Sequence, residues 1–180
     1  MRKAICSAVA AAALITVTGC ANQSTGASAS ASGSASTKAD YGVAVKYIGG
    51  KAGKATGSLS PVTIGWVNEQ GGSSSTPEAT AAVTAAVKLI NERLGGIDGH
   101  PLKVRSCFVK SSAEEGQACA QDMYNDANVR IVLTGATSLA AEPLHSVLGK
   151  KKPVLGSTPS GSSDLTAANA YYTGAGPFGT

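Results

Sequence analysis

The side chains able to do chemistry gather in four short stretches: NEQGGSSST from Asn68, VKSSAEE from Val109, TGATS from Thr134 and GSTPSGSSD from Gly156. Hydroxyls and glycine backbone dominate them, with Glu69, Glu114, Glu115 and Asp164 as their carboxylates. None contains a histidine or a thiol beside a base, so nucleophilic and general-base catalysis lack their usual groups. The inventory suits holding a small polar or zwitterionic solute. Backbone N–H groups and hydroxyls at a helix start are donors for a carboxylate, and a hydrogen bond to a charged group contributes about 1.5–3 kcal/mol. Thr137, Ser138, Ser160, Gly161 and Ser162 are the candidate ligand-binding residues. The plainer alternative is that they only cap helices and close turns, which Ser, Thr and Gly do everywhere.

Other motifs fall away on inspection. Gly174 to Gly179 spells G-x-G-x-x-G, but Pro177 interrupts it and no helix follows to receive a pyrophosphate. No cofactor is implied. His100 and His145 have no partners at metal-ligand spacing, so no metal site is expected, and both read as surface residues. Trp66 sits in an apolar run and reads as core.

The loops need elements that bring them to one edge. VTIGWV, from Val62 to Val67, is a β-branched run bounded by Pro61 and a Gly-rich exit, and predicts a buried strand. Thr76-Pro77-Glu78 supplies an N-cap, a first-turn proline and an acid, so a helix should run to about Leu94. Val83, Val87, Ile90 and Leu94 recur at spacings of three and four, marking its buried face. Gly95 and Gly96 end it. A second strand is expected over Pro101 to Val109, and a second helix from Ser112 to about Asp126 with Glu114 and Glu115 in its first turn. VRIVLTG, from Val129, predicts a central third strand. A third helix, entered through Ser138, should cover Leu139 to Leu148, with a fourth strand from Pro153. Beyond that come loop, one helical turn and a short strand near Tyr171. Strands alternating with helices imply an α/β fold, a doubly wound and mostly parallel sheet with right-handed crossovers. In such a sheet ligands meet the loops at the carboxyl ends of the strands.

The N-terminus is of another kind. Arg2 and Lys3, an apolar stretch from Ala4 to Val17 and small residues before Cys20 read as a targeting segment, residues 1–19. It is too short for a span, which needs about 20 apolar residues. Val17-Thr18-Gly19-Cys20 resembles the bacterial lipobox, and the resemblance makes Cys20 the lipidated residue, with Cys6 discarded. Acyl chains contribute about 0.8 kcal/mol per buried CH₂, enough in combination to tether a protein to a membrane surface. Residues 20–60, rich in Ser, Ala, Gly and Lys, read as a flexible linker, with a short strand over Tyr41 to Ile48 as the alternative for that stretch. The remaining cysteines, Cys107 and Cys119, are an even pair in an exported chain and read as a disulfide rather than a metal site.

Charge follows the same division. Residues 1–60 carry six basic residues and one acid, a net of +5, and residues 61–180 carry nine and ten, a net of −1. A near-neutral folded part with few aromatics has no footprint for nucleic acid. Lys150-Lys151-Lys152, the lone basic cluster, falls where a helix should end and complements its dipole.

Taken together, PVTIGWVNEQGG, LINERLGGIDGHPLKV, the Cys107 and Cys119 pair, VRIVLTGATS and PVLGSTPSGSSDLT resemble the periplasmic-binding-protein-like I family. Among its members the branched-chain amino-acid-type substrate-binding lipoproteins of ABC transporters are most similar. The resemblance covers residues 61–180 and implies the N-terminal lobe of a bilobed, non-enzymatic receptor that presents its solute to permease subunits at the extracytoplasmic face of the cell membrane. It implies that Ser138, with Ser160 to Ser162, holds the carboxylate and ammonium of an amino acid. The loop after the fourth strand is one residue longer than in those relatives, and Leu139 stands where a polar residue is common, so the solute stays open among branched-chain amino acids, other amino acids, amides and short organic acids. Such proteins run to twice this length or more, so a truncated product or fragment is expected, with weak ligand binding and a tendency to aggregate. A ligand-sensing module of the same fold is the alternative role.

Overall fold

The computed structural model describes residues 40–149 and 151–174. The targeting segment, Cys20, most of the linker, Lys150 and the end of the glycine motif lie outside them.

The elements run in chain order α1 (Gly42–Ile48), β1 (Val62–Glu69), α2 (Pro77–Arg93), β2 (Leu102–Val109), α3 (Ala113–Asn125), β3 (Val129–Thr134), α4 (Ala141–Leu148), β4 (Val154–Gly156), α5 (Ser162–Thr166) and β5 (Ala170–Tyr172). The five strands form one sheet in the order β2-β1-β3-β4-β5, and every pairing is parallel. β3 is central, as the apolar run from Val129 predicts. The architecture is the expected doubly wound α/β sheet.

Alternation along β1 assigns the two faces. Val67 joins the buried cluster of Val109, Cys119, Met123, Val132, Leu144, Leu148 and Val154, which α3 and α4 complete. Trp66 and Asn68 point the other way, toward α2, where the Trp66 indole N–H donates to Thr80 Oγ1 at 3.0 Å. Trp66 is core, 5% exposed. The α2 face is thinner than its periodicity suggests. Val83, Val87 and Ile90 are half-buried and no residue of α2 is fully buried, while Leu94 just beyond it is.

Local signals explain most boundaries. Ser112 caps α3 in a capping box with Glu115. Cys107 at the end of β2 and Cys119 in α3 are joined in a disulfide with Cα atoms 5.5 Å apart. α2 ends where Gly95 and Gly96 both take φ of +76°, a left-handed backbone that glycine adopts without a Cβ penalty.

Three expectations change. The stretch from Tyr41 to Ile48, read as linker with a short strand as the alternative, holds a helix over Gly42–Ile48; an Asp40 carboxylate oxygen accepts the Gly42 N–H and αL Gly49 closes the segment, local signals that outweigh its β-branched content. The linker expected as far as residue 60 is in part docked. Gly53 N donates to Arg93 O and Ala55 N to Asn91 O, fastening this stretch to the end of α2. His145 is not a surface residue: its side chain is 7% exposed and its Nε2 lies 2.6 Å from Asp164 Oδ1. A helical position facing α5 needs a polar partner to be buried, and Asp164 supplies it.

Lys152 differs in detail. It is buried, and its Nζ donates to the carbonyls of Met123 and Asp126. It therefore complements a helix C-terminus, that of α3 rather than of the α4 it follows. Burial pushes its ammonium pKa down.

Candidate functional site

The carboxyl ends of β1, β3 and β4 and the loops leaving them form one rim. β1 runs two residues further than its apolar run suggests, and those residues, Asn68 and Glu69, organise the rim. Asn68 is fully buried. Its amide donates to Thr76 O at 2.8 Å, and its Oδ1 accepts the Thr76 hydroxyl at 2.9 Å and the Ala136 N–H at 3.0 Å. One side chain thus ties the end of β1 to the start of α2 and to the β3–α4 loop. Thr76 precedes α2 as expected, but its hydroxyl serves Asn68 and Glu69 O, not the helix.

Glu69 is 3% exposed. Its Oε1 accepts the Ser138 hydroxyl at 2.7 Å and the Leu139 N–H at 2.8 Å. Backbone bonds from Glu69 N to Ala136 O and from Gly135 N to Val67 O, at 2.8 and 2.9 Å, lace the loop to the strand. Gly135 is required by close approach: a Cβ there would stand 2.3 Å from Asn68 Oδ1. Ser138 does not cap α4, which begins at Ala141 with Ala140 at its N-cap.

On the other side, Thr137 Oγ1 lies 3.4 Å from Ser160 Oγ, joining the loop after β3 to the loop after β4. The second loop is supported from behind. Asp164, 4% exposed, accepts the N–H groups of Ser160, at 2.5 Å, and Gly161, at 3.2 Å, and the Asp164 carboxylate also meets His145. Burial acts to raise the pKa of Asp164, but bonds from Tyr172, His145 and Ser160 N outweigh it and hold the carboxyl below its ordinary value. Burial and the same carboxylate push the Tyr172 hydroxyl far up. Ser162 opens α5 and is exposed, while Ser163 beside it is half-buried. The loop after β2 is closed on itself, because Glu115 Oε2 takes the N–H groups of Lys110, Ser111 and Ser112. Those bonds, Ser111 and Lys110 foremost, lower the Glu115 pKa.

The structure therefore brings Thr137, Ser138 and Ser160 to one rim, with Gly161 and Ser162 just behind. It also shows that the Ser138 hydroxyl and the Ser160 and Gly161 amides already serve internal carboxylates. Asn68 and Glu69, placed by the sequence in the first loop, are not among the candidate ligand-binding residues. Their signal was two polar residues immediately after six strand residues, readable equally as loop. Two cavities among the described residues, of about 320 and 780 Å³, lie away from this rim, between α4 and α5 and between residues 48–59 and the end of α2. Among the described residues no cluster of His, Cys, Asp and Glu is arranged to hold a metal ion, and no helix is long and apolar enough to cross a membrane.

The rim thus gathers hydroxyls and backbone amides, several of them engaged by internal carboxylates, at the strand ends of a parallel α/β sheet. A family model described as periplasmic binding protein matches residues 61–180, and the chain belongs to that family. It is a family of binding proteins. The fold is shared with solved structures. The branched-chain amino acid transporter substrate binding protein LivJ from Streptococcus pneumoniae, in complex with isoleucine, has a TM-score of 0.56 at 23% identity, over 63% of this chain and 33% of that one. A putative branched-chain amino acid ABC transporter protein from Rhodospirillum rubrum has a TM-score of 0.56 at 19% identity, over 63% and 34%. An ABC transporter substrate-binding protein from Desulfitobacterium hafniense has a TM-score of 0.53 at 20% identity, over 62% and 33%. The matched region thus spans about a third of the length of each. No curated protein matches closely enough to add to these.

Proposed function

We propose that this chain supplies the N-terminal lobe of an extracytoplasmic solute-binding component of an ABC importer, lipid-anchored through Cys20, for amino acids or related small polar solutes. Residues 1–19 serve as signal peptide, 20 onward as tether and 61–180 as the lobe; the permease subunits are its partners. The observation that carries the reading is the meeting of Thr137 and Ser160, hydroxyls from two adjacent strand ends 3.4 Å apart, at the rim where a sheet of this type meets its ligand.

Amide chemical shifts of the isotopically labelled chain, titrated with L-isoleucine and a panel of other amino acids, test it. Saturable shifts at Thr137, Ser138 and Ser160 are expected, with weak affinity because a single lobe leaves much of a ligand in water. Shifts confined to other surfaces, or none, would end the reading. Tethering has its own test: fatty-acid label should enter the expressed protein and be lost in Cys20→Ala.

A further inference from the structure

We propose that the face formed by α1 and residues 49–59 seats on an anionic lipid surface, with Val43 and Tyr47 entering the interface and Lys46, Lys51 and Lys54 against the headgroups. The proposal goes beyond the solute-binding reading and does not need it. From the tether it takes only that residues 1–20 hold the chain at a bilayer.

Among the described residues the two most exposed large apolar side chains are Tyr47, at 91%, and Val43, at 77%. Both stand on α1, which buries none of its residues, and at a spacing of four they share one face of the helix. Single exposed apolar residues are ordinary, but a contiguous group of them marks an interaction site. The group continues past α1. Ile48 leads into the cavity of about 780 Å³, which Leu59 and Ile97 also line, and all three are exposed. Charge decides what this face fits. Lys46, Lys51 and Lys54 are exposed, and residues 41–60 contain no acid. Lys51 and Lys54 line the same cavity. Against these three cations stand Asp40 at the start of α1 and Asp98 in the cavity wall. Apolar residues flanked by lysines, with a tyrosine among them, match the boundary between acyl chains and anionic headgroups.

Position supports the same occupant. Gly42 follows Cys20 by 22 residues, a reach of at most about 75 Å, so a chain held by its first twenty residues keeps this face near the bilayer. The stretch behind α1 is fastened to the lobe: Gly53 N donates to Arg93 O at 2.9 Å, Gly95 N to Gly53 O at 2.8 Å and Thr56 N to Gly99 O at 2.8 Å. Leu59 and Gly99 lie just before β1 and β2 begin, whereas the rim lies where β1, β3 and β4 end. The sheet is parallel, so the two sites are at opposite edges, and a bilayer seated on this face leaves the rim open to solution.

The full chain, methyl-labelled, is held on nanodiscs of phosphatidylcholine with or without phosphatidylglycerol, each containing a gadolinium-chelating headgroup lipid that broadens nearby resonances. On the anionic discs the methyls of Val43, Ile48 and Leu59 should broaden well beyond those of Leu139 and Leu165, which are exposed elsewhere on the lobe. On neutral discs, or in high salt, that excess should shrink. Lys46→Gln, Lys51→Gln and Lys54→Gln should each lower the docked-to-free ratio by about fivefold, the weight of one charge near an anionic surface, and Tyr47→Ser should lower it as well. These side chains are in water, so the variants keep the fold. Equal broadening at Leu139 and Leu165, or an excess that is the same without phosphatidylglycerol, overturns the proposal. Shifts at these methyls that grow with protein concentration in the absence of lipid give the face to a second copy and overturn it too. A chain broadened nowhere on either disc removes the proposal and the tether together, while solute binding at the rim stands or falls on its own titration.

Discussion

Asn68 holds the rim through bonds that run in three directions, and its environment tolerates little change. In Asn68→Ala the Ala136 N–H and the Thr76 groups lose their partner inside the protein. An unsatisfied buried polar group costs about 1–3 kcal/mol, so urea unfolding should show a loss of that order or more. Gly135→Ala forces a methyl to 2.3 Å from Asn68 Oδ1 and 3.0 Å from the Trp66 ring, and overpacking of this kind costs about 1–3 kcal/mol. Because both changes act on one contact, the double variant should cost less than the sum of the two, a coupling that an unfolding cycle reads directly. Asp164 predicts a pH effect. Its folded pKa lies below the unfolded one, so the stability it contributes is complete above the unfolded value near 3.8 and is lost as pH falls through the folded value. Melting curves from pH 6 to pH 2 should fall more steeply in the unaltered chain than in Asp164→Asn. Equal slopes would mean that the His145 and Tyr172 bonds do not favour the charged form.

Elements differ in how openly the chain announced them. α3 carries its start in Ser112 and Glu115, side chains that meet their partners within five residues, and the run VRIVLT could hardly be anything but an interior strand. The parallel sheet followed from the alternation alone. What stayed hidden depended on partners distant in sequence. Glu69 and Ser138 are 69 residues apart, and Asp164 looks like an ordinary first-turn acid until α4 places His145 against it. Hydroxyls read as free donors were already engaged, which no local pattern reveals. The Cys107–Cys119 link belongs to this scale because it ties β2 to α3 across a separation of 12 residues. Chain-entropy estimates give about 3 kcal/mol for a loop of about 15 residues. Reduction, or replacement of both cysteines by alanine, should lower unfolding stability by about 2–4 kcal/mol while the sheet persists by circular dichroism. Cys119 is buried in the cluster that also holds Met123 and Leu144, and that cluster keeps α3 in place without the bond.

Across the whole sheet the two faces are unequally covered. α3 and α4 pack against each other and close one face over Val67, Val132 and Val154. On the other, the register aligns Trp66, Leu133, Leu155 and Tyr171 in one row across β1, β3, β4 and β5. α2 lies over the β1 and β2 end of that row, and cover thins outward: Trp66 is buried, Leu133 and Leu155 are half-buried and Tyr171 is 58% exposed. The row ends at β5, which lies at the edge of the sheet order and has its own backbone groups to satisfy. An apolar strip beside an edge strand is the arrangement that draws further chains into contact. The described lobe should therefore associate as its concentration rises and bind a hydrophobic dye at neutral pH, both seen by sedimentation velocity and fluorescence. Tyr171→Lys, a charge on the edge strand at the exposed end of the row, should reduce both signals without lowering the melting temperature, since that side chain is mostly in water already. A chain that stays monomeric at high concentration, or a variant that associates as readily as the parent, would place the sticky surface elsewhere on the lobe.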